Sequence, residues 1–254
     1  MENISLENLL PDTKKVFTEL LNQKLDFLDN FTLVGGSALA IRIGHRQSED
    51  LDFFTHKDWF NKDEIFKTLS FFKDNKILLN SKEQVDLICG GVKLSFTNVS
   101  SNPAWHFLKP EPEQDNKIGL VNIATLDQLS AMKIHVLFLR SKFRDYYDNY
   151  VLSKYHIGLE KIYENAEKVI PGMTFRLFTT ALTYVKDIED ENINYLKPKY
   201  KVTKSEIQQF FEGQIKEYIK TEYLKDKSIT EVQQEDNNQS QLSRYKVVYR
   251  KQSP

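Results

Sequence analysis

The residues best suited to chemistry lie in segment 34–54, which reads VGGSALAIRIGHRQSEDLDFF. Gly35 and Gly36 carry no Cβ, so they predict a tight turn whose backbone N–H groups are free to meet an anion, together with the hydroxyl of Ser37. The residues on either side predict a short strand and a short helix. The sequence therefore predicts a phosphate-binding turn between a strand and a helix.

Two acidic residues follow in the same segment. Asp50 and Asp52 stand two apart in a predicted strand, so both carboxylates leave one face of it while Leu51 and Phe53 enter the core. Magnesium prefers oxygen ligands and is commonly held by one or two carboxylates together with substrate phosphates. Taken singly, a Gly-Gly-Ser turn or an Asp-x-Asp strand is more often structural than functional. In this order, the two motifs predict a site for Mg²⁺ and a nucleoside triphosphate.

A β-hairpin is predicted farther along the chain. Segments 82–89 and 92–97 flank a Gly-Gly pair, which is a strong signal for a two-residue turn. Counting outwards from this turn places Asp86 opposite Ser95, on the face that does not carry the apolar side chains.

Apolar side chains at helical spacing predict several helices, at 11–29, 63–72, 155–168, 174–186 and from 203 onwards. Segment 118–123 predicts one short strand. Thr125 and Gln128 form a capping box for another helix, predicted to run to about Tyr150 with Leu139 on its inner face.

Basic side chains are regularly spaced on this last helix. Lys133, Arg140 and Arg144 are separated by seven and four residues, so they are predicted to share one stripe. A helical lysine can neutralise the charge of a triphosphate and of a departing pyrophosphate. A solvated helix face with i,i+4 ion pairs is the alternative interpretation.

Together these motifs resemble the signature of the nucleotidyltransferase superfamily, with its polymerase-beta-like fold, in the AbiEii/AbiGii toxin branch. The resemblance rests on short blocks, which are Gly36-Ser37, His45-Arg46, Asp50-Leu51-Asp52, Lys133, and Arg144-Asp145-Tyr146-Tyr147-Asp148. The catalytic residues it implies are Asp50, Asp52, Ser37, Lys133 and Asp145, with Asp50 and Asp52 as the metal ligands. The NTP-binding residues it implies are Gly35, Gly36, Ser37, Arg46, Lys133 and Arg140.

Two positions depart from the family's pattern. The family commonly carries a third carboxylate on a strand beside the Asp-x-Asp strand, to bind a second metal or to deprotonate the attacking hydroxyl, and this chain has Ser95 there. The family also more often has lysine in place of Arg144. Asp86, opposite Ser95 in the predicted hairpin, is the candidate third carboxylate, and a solvated strand residue is the alternative.

Composition limits the possible classes of protein. The 254 residues suit one large or two small domains, and 40% hydrophobic residues can supply a core. A formal net charge of −1 excludes a basic field over the whole chain but not local basic patches. Cys89 is the one cysteine, which excludes an internal disulfide framework and a Cys-based zinc site. Neither a signal peptide nor a membrane-spanning stretch is predicted, so we expect a cytoplasmic protein without a membrane partner.

The predicted fold class is α+β, with a small mixed β-sheet core, flanking helices and an α-helical second half. We expect a nucleotidyltransferase core over 1–120, a helical domain over 121–225 that completes the cleft, and a polar, disordered tail over 226–254.

The predicted activity is transfer of an NMP from an NTP, with Mg²⁺ or Mn²⁺, to a hydroxyl of RNA, such as tRNA, or of protein. The resemblance further implies the toxin of a toxin–antitoxin or phage-defence system, with a cognate antitoxin protein as partner. Two alternatives stay open at this point. One is a non-catalytic binding module with this fold, which Ser95 favours, and the other is an adenylyltransferase that acts on an antibiotic.

Overall fold

A seven-stranded mixed β-sheet organises the chain in the computed structural model, which describes residues 4–57, 61–109 and 116–222. The strands are β1 Thr32–Val34, β2 Leu51–Thr55, β3 Asn75–Asn80, β4 Gln84–Cys89, β5 Val92–Asn98, β6 Lys117–Ile118 and β7 Val121–Ile123. Their order across the sheet is β3-β4-β5-β2-β1-β7-β6. The β2/β5 and β1/β7 pairs are parallel and the other four pairs are antiparallel. The predicted α+β class with a mixed sheet is confirmed.

Helices flank the sheet and make up most of the second half. They are α1 Pro11–Asn22, α2 Gly35–Ile43, α3 Lys62–Lys67, α4 Leu126–Leu137, α5 Phe143–Tyr155, α6 Gly158–Val169 and α7 Phe175–Thr183, and residues 204–222 are also helical. The described residues up to Phe211 form one compact unit, and the described part of the second unit is helical. Within these ranges, each helix is too short or too polar to cross a membrane.

An aromatic cluster fixes which way the strands face. Phe53 of β2 stacks on Phe96 of β5 with ring centroids 4.9 Å apart, and Phe31 meets Phe96 edge to face at 5.2 Å. All three rings are buried. Because strand side chains alternate, burying Phe53 and Phe96 on one face sends Asp52 and Ser95 to the other face.

The predicted hairpin has the predicted register. β4 and β5 pair from Cys89 with Val92 through to Asp86 with Ser95. The edge strand β3 was not predicted, because its three apolar residues are consecutive and every side chain in it is exposed. The predicted strand 118–123 is two strands, β6 and β7, joined by a tight turn.

The helix predicted from Thr125 to Tyr150 is wrong as a single element. It starts with the predicted capping box, but α4 ends at Leu137 and α5 begins at Phe143. Leu139, expected on the inner face, is 70% exposed in the connection.

The break allows a long-range ion pair that one continuous helix could not form. In a continuous helix, Lys133 and Asp145 would be about 18 Å apart along the axis. The break folds α5 back against α4, so that Nζ of Lys133 lies 3.5 Å from Oδ1 of Asp145. Lys133, Arg140 and Arg144 therefore do not form one stripe on a single helix, although their side chains still lie in the same region of the structure.

Other predicted helices are shorter than expected. Segment 11–29 contains α1 and then a 3₁₀ helix at Asp26–Asn30, and segment 63–72 contains α3 and a 3₁₀ helix at Thr68–Phe71. The division into domains at residue 120 stays a prediction, and the predicted tail 226–254 lies outside the described residues.

Candidate active site

The glycine pair begins helix α2 and brings an acid against its first turn. Gly35 has φ +69°, a conformation that side chains of L-residues disfavour, and a Cβ there would lie 2.9 Å from Oδ2 of Asp52. A Cβ at Gly36 would lie 3.2 Å from a terminal nitrogen of Arg46. The pair is therefore part of the helix rather than a separate turn, and its N–H groups face the helix N-terminus, where anions bind well.

The Ser37 hydroxyl has a structural role that differs from the predicted one. Its hydroxyl is buried and donates a hydrogen bond to the backbone carbonyl of Asp50. The prediction that this hydroxyl is free to meet an anion is therefore wrong for the described structure. The bond fixes the start of β2 against α2 and so positions Asp50.

Asp50 and Asp52 are two part-buried carboxylates that form no ion pair among the described residues. Burial raises the pKa of both, and the charge of Asp50 raises the pKa of Asp52 further. Within the described ranges, neither side chain forms an ion pair, whereas the other acids of the neighbourhood, such as Glu49 and Asp86, do. A cation placed between them would relieve both the burial penalty and the mutual repulsion.

The candidate third carboxylate lies one strand away from the expected position. Asp52 pairs with Ser95 across β2 and β5, and Ser95 pairs with Asp86 across β5 and β4, so the three occupy one row. Asp86 is paired with Lys93, whose Nζ lies 3.3 Å from Oδ2. Lys93 was missed, although its position two residues before Ser95 places it on the same face.

A buried ion cluster lies behind these acids, with Asp148 of α5 at its centre. Arg46 donates to both oxygens of Asp148, from Nε at 2.7 Å and from a terminal nitrogen at 2.8 Å. Nζ of Lys133 lies 2.6 Å from Oδ2, and Nε2 of His45 lies 2.7 Å from Oδ1. The two cations outweigh the effect of burial and hold the pKa of Asp148 well below its usual range.

His45 is the neutral member of this cluster. Burial lowers its pKa to about 4, against the opposite pull of Asp148, so the imidazole is uncharged at neutral pH. Since a carboxylate only accepts hydrogen bonds, the Nε2–H tautomer donates to Asp148. His45 therefore orients the carboxylate without adding charge.

Asp145 contacts two of the three predicted basic side chains. Arg140 donates to it twice, at 2.8 and 3.1 Å, and Lys133 reaches it from α4. Arg144 pairs instead with Glu49, the residue before Asp50, at 2.5 Å. The structure thus brings the predicted residues to one region, and Lys133 and Arg140 act there as cations fixed by Asp145 and Asp148.

The fit of a divalent cation follows from the donor set. Within the described residues, no group of three or more His, Cys, Asp or Glu side chains could hold a metal ion. Asp50 and Asp52 supply two carboxylates, which suits magnesium when substrate phosphates complete its coordination. The residues present therefore fit a cation that binds together with a nucleotide.

Comparisons with known proteins show what this chain is similar to. Residues 19–104 match the family described as the nucleotidyl transferase AbiEii toxin of Type IV toxin–antitoxin systems. An uncharacterized protein of Aquifex aeolicus strain VF5 is 28% identical over 197 residues, which is 77% of this chain and 91% of that protein.

Two solved structures are similar to this chain. JHP933 from Helicobacter pylori has a TM-score of 0.51 at 19% identity, covering 89% of this chain and 99% of that chain. MenT4, a nucleotidyltransferase toxin from Mycobacterium tuberculosis H37Rv, has a TM-score of 0.47 at 12% identity, covering 82% of this chain and 86% of that chain. The likeness to JHP933 shows a common fold.

Proposed function

We propose that this chain, whose residues 19–104 match the AbiEii nucleotidyltransferase family, is a nucleotidyltransferase that transfers an NMP from an NTP to a hydroxyl of RNA. One observation carries the proposal. Among the described residues, Asp50 and Asp52 form no ion pair, although they lie near the N-terminus of α2 in a region where the neighbouring acids are paired. Carboxylates in this state suit a divalent cation and the phosphates that accompany it.

Each group has a role in this reaction. Asp50 and Asp52 would hold Mg²⁺ or Mn²⁺, which would act as a Lewis acid and neutralise phosphate charge. The first N–H groups of α2, at Gly35 and Gly36, bind phosphate oxygens. The acceptor hydroxyl oxygen forms a bond to the α-phosphorus and loses its proton. The bond between the α-phosphorus and the oxygen that bridges the α- and β-phosphates breaks, and pyrophosphate leaves. Lys133 stabilises the charge that develops on the leaving group.

An aromatic and basic surface supports RNA as the acceptor. Tyr155 and Tyr200 stack with ring centroids 4.3 Å apart and planes at 7°. Nζ of Lys154 lies 5.4 Å from the Tyr155 ring centroid, and Nζ of Lys199 lies 5.5 Å from that of Tyr200. Single-stranded nucleic acids bind to aromatic rings flanked by cations, which contact the backbone phosphates.

Backbone hydrogen bonds connect this surface to the carboxylate site. The N–H of Lys199 donates to the carbonyl of His45 at 2.8 Å, and the N–H of Gln47 donates to the carbonyl of Leu196 at 2.6 Å. Gln47 precedes Asp50 by three residues, a span of at most about 11 Å. The segment that carries Lys199 and Tyr200 is therefore anchored to the segment that leads into Asp50, which supports an acceptor strand that reaches from the tyrosines towards the acids.

The test uses each of the four NTPs labelled at the α-phosphate, with total tRNA or with protein extract. We expect wild type to label RNA and the Asp50→Asn/Asp52→Asn variant to label nothing. We expect Lys154→Glu/Lys199→Glu to lower RNA labelling and the salt dependence of RNA binding, whereas Lys15→Glu/Lys24→Glu, on and just after α1, leaves both unchanged. Label on protein alone would overturn the choice of acceptor.

The family match also supports a toxin role, and we propose that the chain is the toxin of a toxin–antitoxin pair with a cognate antitoxin protein. Induced expression should stop growth of the host cell, and Asp52→Asn should abolish that effect at equal protein level. Normal growth with active wild-type protein would refute the toxin role. Function in phage defence and a cytoplasmic location stay predictions.

A further inference from the structure

The sheet face that carries Asp52 also holds an ion pair with no part in the reaction above. Asp52, Ser95 and Asp86 form one row across β2, β5 and β4. Lys93 lies on the same face of β5 as Ser95, two residues earlier, and its Nζ lies 3.3 Å from Oδ2 of Asp86. A lysine–aspartate pair therefore lies beside Ser95, the position at which the family's pattern has a third carboxylate.

Asp86 is fully engaged without a metal. Nε2 of Gln84 donates to its Oδ1 at 2.8 Å, while Lys93 contacts its Oδ2. Two strand spacings separate Asp86 from Asp52, which is about 10 Å, and side chains stand roughly perpendicular to the sheet. Two oxygens on one magnesium ion are at most about 4 Å apart, twice the bond length. Asp86 is therefore not placed to share an ion with Asp52.

Lys93 also acts on the two unpaired acids. Leu51 pairs with Leu94, so the residue before it, Asp50, lies next to the position of Lys93. One ammonium group thus faces an acid on either side of its strand.

We propose that the Lys93 ammonium, held by Asp86, takes the place of a second divalent cation, so that Asp50 and Asp52 bind a single one. The three carboxylates and one ammonium of this face carry a net charge of −2, which one divalent cation neutralises. A lysine is suited to this because its charge is compact and needs no further ligands. This inference rests on the proposed nucleotidyltransferase function.

The number of bound Mn²⁺ ions tests the inference without measuring activity. Electron paramagnetic resonance of free Mn²⁺, corrected by a titration of the nucleotide alone, gives the count for the full chain with a saturating, non-hydrolysable α,β-methylene NTP. We expect one tightly bound Mn²⁺ per chain in wild type. Two bound ions would overturn the single-cation inference and leave the proposed function standing. Absence of any bound Mn²⁺ would remove both.

Variants separate the roles of the two members of the pair. Asp86→Asn should still bind one Mn²⁺, and a variant that binds none while its circular dichroism spectrum is unchanged would identify Asp86 as a ligand and overturn the inference. Lys93→Met/Ser95→Asp removes the ammonium and adds the third carboxylate, so it should bind two ions. A count of one in that variant, with an unchanged circular dichroism spectrum, would show that Lys93 is not what limits the site. The wild-type count decides the question even if a variant does not fold.

Discussion

Replacing Asp148 with asparagine removes one charge and keeps the side-chain shape, so it tests the buried cluster directly. The carboxylate contacts three side chains at 2.6–2.8 Å and is fully buried. After the change, Lys133 still has an ion pair with Asp145 at 3.5 Å, whereas Arg46 has no ion pair left within the described part of the chain. Removing one partner of a buried ion pair typically costs about 3–5 kcal/mol, because the other charge stays buried.

This loss is large enough to measure clearly. A chain of this size loses about 2–4 °C of melting temperature for each kcal/mol, so Asp148→Asn should melt about 10 °C lower. Urea unfolding followed by circular dichroism gives the free energy, and an unchanged m-value shows that the same surface unfolds. The control is Asp127→Asn, whose partner Lys161 lies 3.7 Å away in an exposed pair, and it should lose less than about 1 kcal/mol.

The pH dependence gives a second check on the same reasoning. The pKa of Asp148 is lower in the folded than in the unfolded protein, so its stabilising contribution is complete above about pH 4, the unfolded value, and is lost as the pH falls through the lower folded value. The difference between wild type and Asp148→Asn should be constant from pH 8 to about pH 5 and shrink below about pH 4. A loss below about 1 kcal/mol at pH 7 would refute the view that Asp148 neutralises these cations.

Three further changes test other parts of the site. Since the folded pKa of His45, about 4, lies below its ordinary value of 6.5, wild type should lose about 3 kcal/mol of stability as the pH falls from 6.5 to 4, and His45→Gln should flatten this slope in urea titrations. Asp52→Asn should raise the urea midpoint at pH 7, because burial raises the pKa of the folded carboxylate, while abolishing NMP transfer; a lower midpoint would contradict this. Gly35→Ala and Gly91→Ala should both cost about 1 kcal/mol, because both positions have positive φ. Only Gly35→Ala should lose transfer activity, since nothing lies near a Cβ at Gly91. Equal losses of transfer activity in the two variants would refute the contact between position 35 and Asp52.

Local patterns were enough to predict the parts of the fold that depend on neighbouring residues. The register of β4 and β5 follows from one turn, and the opposite directions of Asp52 and Phe53 follow from strand alternation. The helix cap at Thr125 likewise depends on residues within one turn.

Features that depend on distant residues could not be predicted in this way. The break between α4 and α5 contains no proline or glycine, and the contact that accompanies it joins Asp145 to Lys133, twelve residues earlier. Strand β3 has no amphipathic pattern and forms because β4 offers its backbone as a partner. The hydroxyl of Ser37 has an acceptor 13 residues away, which motif spacing alone does not reveal.

The hydrogen bond between Gln47 and Leu196 also bears on when the protein becomes active during its own synthesis. The two residues are 149 positions apart, so about 7–30 s of translation separate them at 5–20 residues per second. A nascent chain carries Asp50 and Asp52 through this interval without the tyrosine and lysine surface that is anchored beside them. A chain released early by the ribosome would hold the metal-binding acids but lack the surface proposed to hold RNA, and we expect activity to appear only in nearly full-length protein.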